Sequence, residues 1–117
     1  MMSRRTRALQ FSTKARKEIY ARDGARCLFC DANYRMCEKR FGNILDCHIY
    51  ETMHIVARSH GGIGIAQNGI IGCRYHHRML DGGARKVREE MQQMIETYMK
   101  TKYPGWSREK LVYRKEI

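Results

Sequence analysis

The chain has 117 residues and a mass of 13.8 kDa, room for one domain with one modest core, which excludes a two-domain cofactor enzyme. A composition of 43% hydrophobic and 30% charged residues with a single Pro excludes a disordered or collagen-like chain. The net charge of +11 gathers at the ends: residues 1–26 hold eight basic and two acidic side chains, residues 100–117 hold six and two, and the middle is nearly balanced. Basic flanks of this kind point to a polyanionic partner, because Lys and Arg that neutralise phosphates release condensed counterions. No apolar run approaches the ~20 residues that span a bilayer, and the basic N-terminus lacks the apolar core of a secretory signal. These readings place the protein in a reducing cytoplasm, without a membrane partner and without disulfides.

In chain order, residues 1–12 read as a basic arm carrying Arg4, Arg5 and Arg7. Ser12 or Thr13 is a candidate N-cap for a helix through TKARKEIYARDG, with Ala15, Ile19 and Tyr20 on one side and Gly24 as its stop. That helix leads into Cys27-Leu28-Phe29-Cys30, and the mixed stretch 31–47 predicts loop. Residues 47–56, CHIYETMHIV, have the β-branched and aromatic content of a strand. Gly61-Gly62-Ile63-Gly64 marks an irregular loop, and Gly69-Ile70-Ile71-Gly72 predicts a second short strand that ends at Cys73-Arg74-Tyr75-His76. Tyr75 to Leu80 predicts a short helix broken near Gly82-Gly83. Val87, Met91, Met94, Ile95, Tyr98 and Met99 then recur at helical spacing and predict a core-facing helix that ends before Tyr103-Pro104-Gly105-Trp106. Such a stripe packs equally well in a monomer or against a second copy in a homodimer. Residues 102–117 read as a basic tail. The fold class is α+β.

Five cysteines are many for a cytoplasmic chain of this size. Cys27 and Cys30 form one pair separated by two residues, and Cys73 and His76 form another. A tight turn brings both donors of such a pair to one metal, and two pairs complete the tetrahedron that zinc prefers. In a small core this ion acts as a staple, since binding only the folded state adds about 10 kcal/mol or more in model zinc fingers. Cys37 and Cys47 have no partner at that spacing and read as small buried hydrophobes, with a second metal site that includes His48 as the alternative. His48 itself reads as a solvated or half-buried strand residue.

The order of helix, Cys pair, strand with His54, glycine loop, Asn68, strand and Cys-His pair resembles the HNH endonucleases. The resemblance rests on His54-Ile55-Val56-Ala57-Arg58-Ser59-His60-Gly61-Gly62, Asn68 and Cys73-Arg74-Tyr75-His76-His77. It extends to Arg22-Asp23-Gly24, to Ile63-Gly64-Ile65-Ala66-Gln67 and to Tyr103-Pro104-Gly105-Trp106, covers about residues 13–106, and is nearest to the small HNH proteins of bacteriophages and prophages. It implies a zinc-stapled ββα-metal fold over residues 13–101 and a metal-dependent DNA endonuclease. It also implies a place in a bacterial host's cytoplasm and, for some relatives, work beside the phage packaging machinery.

The resemblance assigns roles residue by residue. His54 is the expected general base, a neutral imidazole that takes a proton from water attacking phosphorus. Asn68 is expected to tie the glycine loop together and so to aim His54. His77 is expected to ligate a catalytic divalent ion, Mg2+ or Mn2+ in the usual case and Ni2+ or Zn2+ as alternatives, which polarises the phosphate and stabilises the leaving 3′-oxygen. The products are then a 5′-phosphate and a 3′-hydroxyl. The chain departs from the common pattern at Met53, where many relatives carry a metal ligand, because a thioether is a poor ligand for a hard cation. Asp81, one helical turn after His77, and Glu51, two residues before Met53, are the candidate replacements. Arg58, His60, Arg74 and Arg78 are candidate contacts to the scissile backbone; Lys14, Arg16 and Lys17, with the arm's arginines, are candidate contacts to more distant phosphates. The alternative from a different class is a zinc-containing DNA-binding module without cleavage, for which Met53 is the argument.

Overall fold

A computed structural model describes residues 2–114. The described residues form five α-helices and two strands: α1 Arg4–Leu9, α2 Thr13–Asp23, α3 Leu28–Asp31, β1 Tyr50–His54, β2 Gly69–Cys73, α4 Arg74–Gly82 and α5 Arg85–Lys102, with short 3-10 turns between and after them. The protein is thus α+β. Among the described residues no helix is long and apolar enough to cross a membrane.

Local chemistry sets the element boundaries. The Ser12 hydroxyl accepts from the Ala15 N–H at 3.0 Å and starts α2. Gly24, with φ +68°, ends it by donating to the Tyr20 carbonyl at 2.7 Å. Ala15 and Ile19 are buried one turn apart, whereas Tyr20 stands 61% exposed. The expectation that Tyr20 shares one side with Ala15 and Ile19 fails because one residue beyond Ile19 turns about 100° around the helix axis. At α4 the cap is a thiol: Cys73 Sγ accepts from the His76 N–H at 3.3 Å. In α5 the buried residues are Val87, Met91, Ile95 and Met99, and Met94 and Tyr98 are only partly covered. Burial of each such side chain contributes about 1.5–3 kcal/mol, more than helix propensity supplies.

β1 and β2 form an antiparallel pair in the register Thr52↔Ile71, Met53↔Ile70 and His54↔Gly69. Pleating sends alternate residues to opposite faces. Met53 and Ile70 face the main core with Met79, Met91 and Ile95. Ile71 joins Ile19, Ala66 and Phe11 in a smaller cluster beneath α2. Two glycines fit these layers together. A Cβ on Gly72 would lie 2.8 Å from the Met53 sulfur, and one on Gly69 would lie 2.9 Å from the Phe11 ring.

The structure corrects several boundaries. The strand expected over 47–56 is limited to Tyr50–His54, and Cys47 and His48 lie in a 3-10 turn, Ile44–His48, started by an Asn43 capping box. The expected loop 31–47 also carries a 3-10 turn at Lys39–Phe41 whose Phe41 is buried. Residues 4–9 of the expected arm form α1 and bury Leu9. The expected tail buries Trp106 and Leu111; its Tyr113 N–H donates to the Gly61 carbonyl at 2.7 Å, and Ile63 donates to the Leu111 carbonyl at 2.8 Å. Both basic ends therefore pack on the glycine loop, driven by the few apolar residues they contain. Lys115 of that tail lies outside the described residues.

Candidate functional site

Cys27, Cys30, Cys73 and His76 present ligand atoms that all lie within 4.8 Å of one another. Cys30 Sγ is 3.6 Å from Cys73 Sγ, and His76 Nδ1 is 3.7, 3.5 and 3.3 Å from the sulfurs of Cys27, Cys30 and Cys73. Tetrahedral zinc with its usual bond lengths needs S···S near ~3.8 Å and S···N near ~3.6 Å, so the donor set fits zinc. The second ring nitrogen, His76 Nε2, sits 2.6 Å from the Tyr34 carbonyl. A carbonyl only accepts, so Nε2 carries the proton and Nδ1 keeps its lone pair for a metal. Asn33 and Arg35, on either side of Tyr34, both have positive φ, 54° and 44°, and this tight turn presents the Tyr34 carbonyl. Without a cation the three thiols compete for one charge. A hydrogen bond from Cys73 holds the Cys27 thiol down, burial pushes Cys30 up, and Cys73 is raised by its bond to Cys27. A cation removes that conflict by balancing all three thiolates.

Cys37 and Cys47 take no part in this group. Cys37 is exposed and Cys47 half-buried, which corrects the reading of both as buried hydrophobes. Cys37 sits in an exposed turn, whereas Cys47 packs against the edge of the main core and is only partly covered there. Among the described residues no second group of metal ligands joins them to the exposed His48.

His54 ends β1 on the face towards α2. Its Nε2 lies 2.7 Å from the Leu9 carbonyl, which fixes Nε2 as the protonated nitrogen and leaves Nδ1 free to accept. The Phe11 ring packs on the imidazole with centroids 4.1 Å apart. Burial lowers the His54 pKa below its ordinary 6.5, helped by Arg58, Arg16 and His77 and opposed by the Leu9 carbonyl. Asn68 is fully buried and ties the glycine loop to the end of β1. Its Oδ1 accepts from Val56 N–H at 2.7 Å, and its Nδ2 donates to the carbonyls of Ile63 at 2.8 Å and Val56 at 3.1 Å. Arg22 clamps the backbone on either side of Asn68, donating to the Ala66 carbonyl at 3.0 Å and the Gly69 carbonyl at 2.6 Å. Asp23 pairs with Arg22 at 2.6 Å and accepts from the Ile71 N–H at 3.0 Å.

His77, on the first turns of α4, has a carboxylate at each ring nitrogen. Glu51 Oε1 is 3.0 Å from Nδ1, and Asp81 Oδ2 is 3.5 Å from Nε2. Lone pairs on the two nitrogens diverge, so the two carboxylates cannot share one ion with the same nitrogen of this ring. Met53 lies on the core face, fully buried, and supplies no ligand.

His54, His77, Asp81, Arg58 and His60 line one cleft of about 990 Å³, walled also by Arg88 and by the pairs Arg85–Glu89 at 2.9 Å and Arg108–Glu96 at 3.7 Å. Asn68 stands behind it in the core. The structure does not bring Glu51, Arg74 or Arg78 to the cleft lining. Arg74 reaches Glu51 at 3.5 Å and Arg78 reaches Asp46 at 3.5 Å, so each is held by a nearby carboxylate. Arg16 and Lys17 line a neighbouring, smaller cleft, and Lys14 is exposed outside both. Sequence reasoning missed Leu9, Phe11 and Tyr34, two of which act through backbone carbonyls that side-chain identity does not reveal. For Phe11 the available signal was a lone aromatic in a basic segment.

Comparison of the chain with models of known protein families, with curated proteins and with solved structures found no match.

Proposed function

We propose that the protein is a metal-dependent DNA endonuclease of the HNH type, a ββα-metal fold with a structural zinc, which hydrolyses phosphodiester bonds with His54 as general base. One observation carries this reading: an imidazole with a free, oriented Nδ1 and a His77–Asp81 pair line the same cleft, beside Arg58 and Arg88. The resemblance in the motif residues and the charge of +11 support it.

In this reading, Leu9 holds the Nε2 proton of His54, and Nδ1 takes the proton of the attacking water. Desolvation keeps that imidazole neutral at working pH. Asn68 fixes the loop that carries Arg58 and His60, so both meet the phosphate in a set position. Glu51 accepts from Nδ1–H of His77, which turns Nε2 towards Asp81. Nε2 and the Asp81 carboxylate are the residues that would hold a hard divalent ion, Mg2+ or Mn2+, with Glu51 as the orienting partner rather than a co-ligand. Such an ion, when bound, polarises the scissile phosphate and stabilises the leaving 3′-oxygen. Exposed Arg5, Arg7, Lys14 and Lys17 contribute contacts to the backbone without reading sequence.

A second reading, a zinc-stapled DNA-binding module without cleavage, draws on buried Met53, which leaves only two protein ligands for a catalytic ion. The test is cleavage of end-labelled duplex over a Mn2+ titration. Asp81→Asn raises the Mn2+ needed for half-maximal rate by about 10-fold or more at unchanged zinc content, and products carry a 5′-phosphate. An unchanged Mn2+ requirement contradicts the ligand assignment, and intact duplex at every Mn2+ level favours the binding module.

A further inference from the structure

A second cleft, of about 420 Å³, shares the Thr52 side chain with the reaction cleft. Arg16, Lys17 and Tyr20 of α2 form one wall, and Thr52 and Ile71, paired across the two strands, form the floor. Arg16 and Tyr20 are one helical turn apart, so both lie on the same face of α2 at this cleft. Tyr20 is the most exposed aromatic side chain among the described residues, at 61%, and buries no core surface that would explain its presence. The cleft also connects physically to His54. The Arg16 guanidinium lies 5.6 Å from the centre of the Phe11 ring, and Phe11 packs on the His54 imidazole.

A flat ring over a small apolar floor, beside two cations, matches one kind of ligand. The cations take a phosphate, and the ring takes the face of a base. Base faces in a continuous duplex are covered by stacking, so only an unpaired nucleotide offers one. The cleft is large enough for one such unit. We propose that the Tyr20 cleft binds an unpaired nucleotide of the DNA strand next to the phosphate presented to His54, so the protein prefers interrupted DNA to continuous duplex. The proposal rests on the reading of DNA as substrate.

Fluorescence anisotropy of zinc-loaded protein, without added divalent ion, tests it with one labelled duplex and the same duplex carrying a three-nucleotide single-stranded gap. The wild type binds the gapped DNA about 10-fold more tightly, the scale of one base stacked on an aromatic side chain. Tyr20→Phe keeps that ratio, and Tyr20→Ala brings it to within about two-fold of unity while affinity for continuous duplex stays as it was. Tyr20 is too exposed for either change to threaten the fold. Equal affinity of the wild type for both DNAs overturns the proposal and leaves the DNA reading standing, as does a ratio that survives in Tyr20→Ala. Binding to neither DNA overturns both.

Discussion

His54 shows how much of a site is decided around a residue rather than by it. Its imidazole can serve as a base only when neutral and only when one defined nitrogen is free. The Leu9 carbonyl decides the nitrogen, and burial beside Arg58, Arg16 and His77 favours the neutral form. The pH consequence has a definite sign. Because the folded pKa lies below the ordinary 6.5, the cleavage rate rises with pH to a plateau whose midpoint falls below 6.5, and a midpoint above that value contradicts the assignment. The same shift makes the unfolded state the better proton acceptor in this window. His54's contribution to stability is therefore present above 6.5 and is lost as pH falls through the folded pKa. His54, Asn68 and His77 were legible in the sequence because their side chains form a recognisable phrase. Leu9 and Tyr34 were not, since any residue type offers a carbonyl. Met53 was legible as a poor ligand, but its place on the core face, over Gly72, follows from strand register.

At the scale of elements, the Cys and His pairs join α3 to the start of α4, two short helices 42 residues apart in the chain. Neither could hold its position by its own hydrogen bonds, because helices this short are marginal in water. The donor geometry fits zinc, and the Nε2 bond from His76 to Tyr34 draws the intervening turn onto the same centre. Removing the metal should therefore unfold the core. A structural zinc contributes on the order of 10 kcal/mol, comparable to the whole stability of a small domain. We expect one zinc per chain by elemental analysis, tetrahedral thiolate absorption when Co2+ replaces it, and loss of the cooperative thermal transition in chelator. A transition unchanged by chelator contradicts the staple. The knuckles, both strands and α5 were readable from spacing and periodicity. The 3-10 turns of residues 39–48 were not, because their start depends on an Asn43 cap in a stretch with no periodic apolar pattern.

Over the whole molecule, both basic ends fold onto the glycine loop. Gly64 donates to the Ala8 carbonyl at 2.8 Å, and Gly62 pairs with Val112. Composition suggested free arms because basic residues dominate both ends; the structure shows that Leu9, Trp106 and Leu111 are enough to anchor them. The anchored ends complete the candidate site, since α1 brings the carbonyl that orients His54 and Arg108 reaches the wall of its cleft. Of the basic residues at the two ends, Arg108 lines the His54 cleft, and Arg16 and Lys17 line the neighbouring one. The most direct test of the central claim is cleavage of supercoiled plasmid by zinc-loaded protein with added Mg2+, Mn2+ or Ni2+, run beside His54→Ala with DNA binding followed in parallel. The account predicts nicked or linear plasmid with the wild type and a rate lower by about 10²–10⁴-fold in His54→Ala, with binding retained. Plasmid that is bound but left intact by the wild type with every metal, or cleaved equally by both proteins, would contradict it.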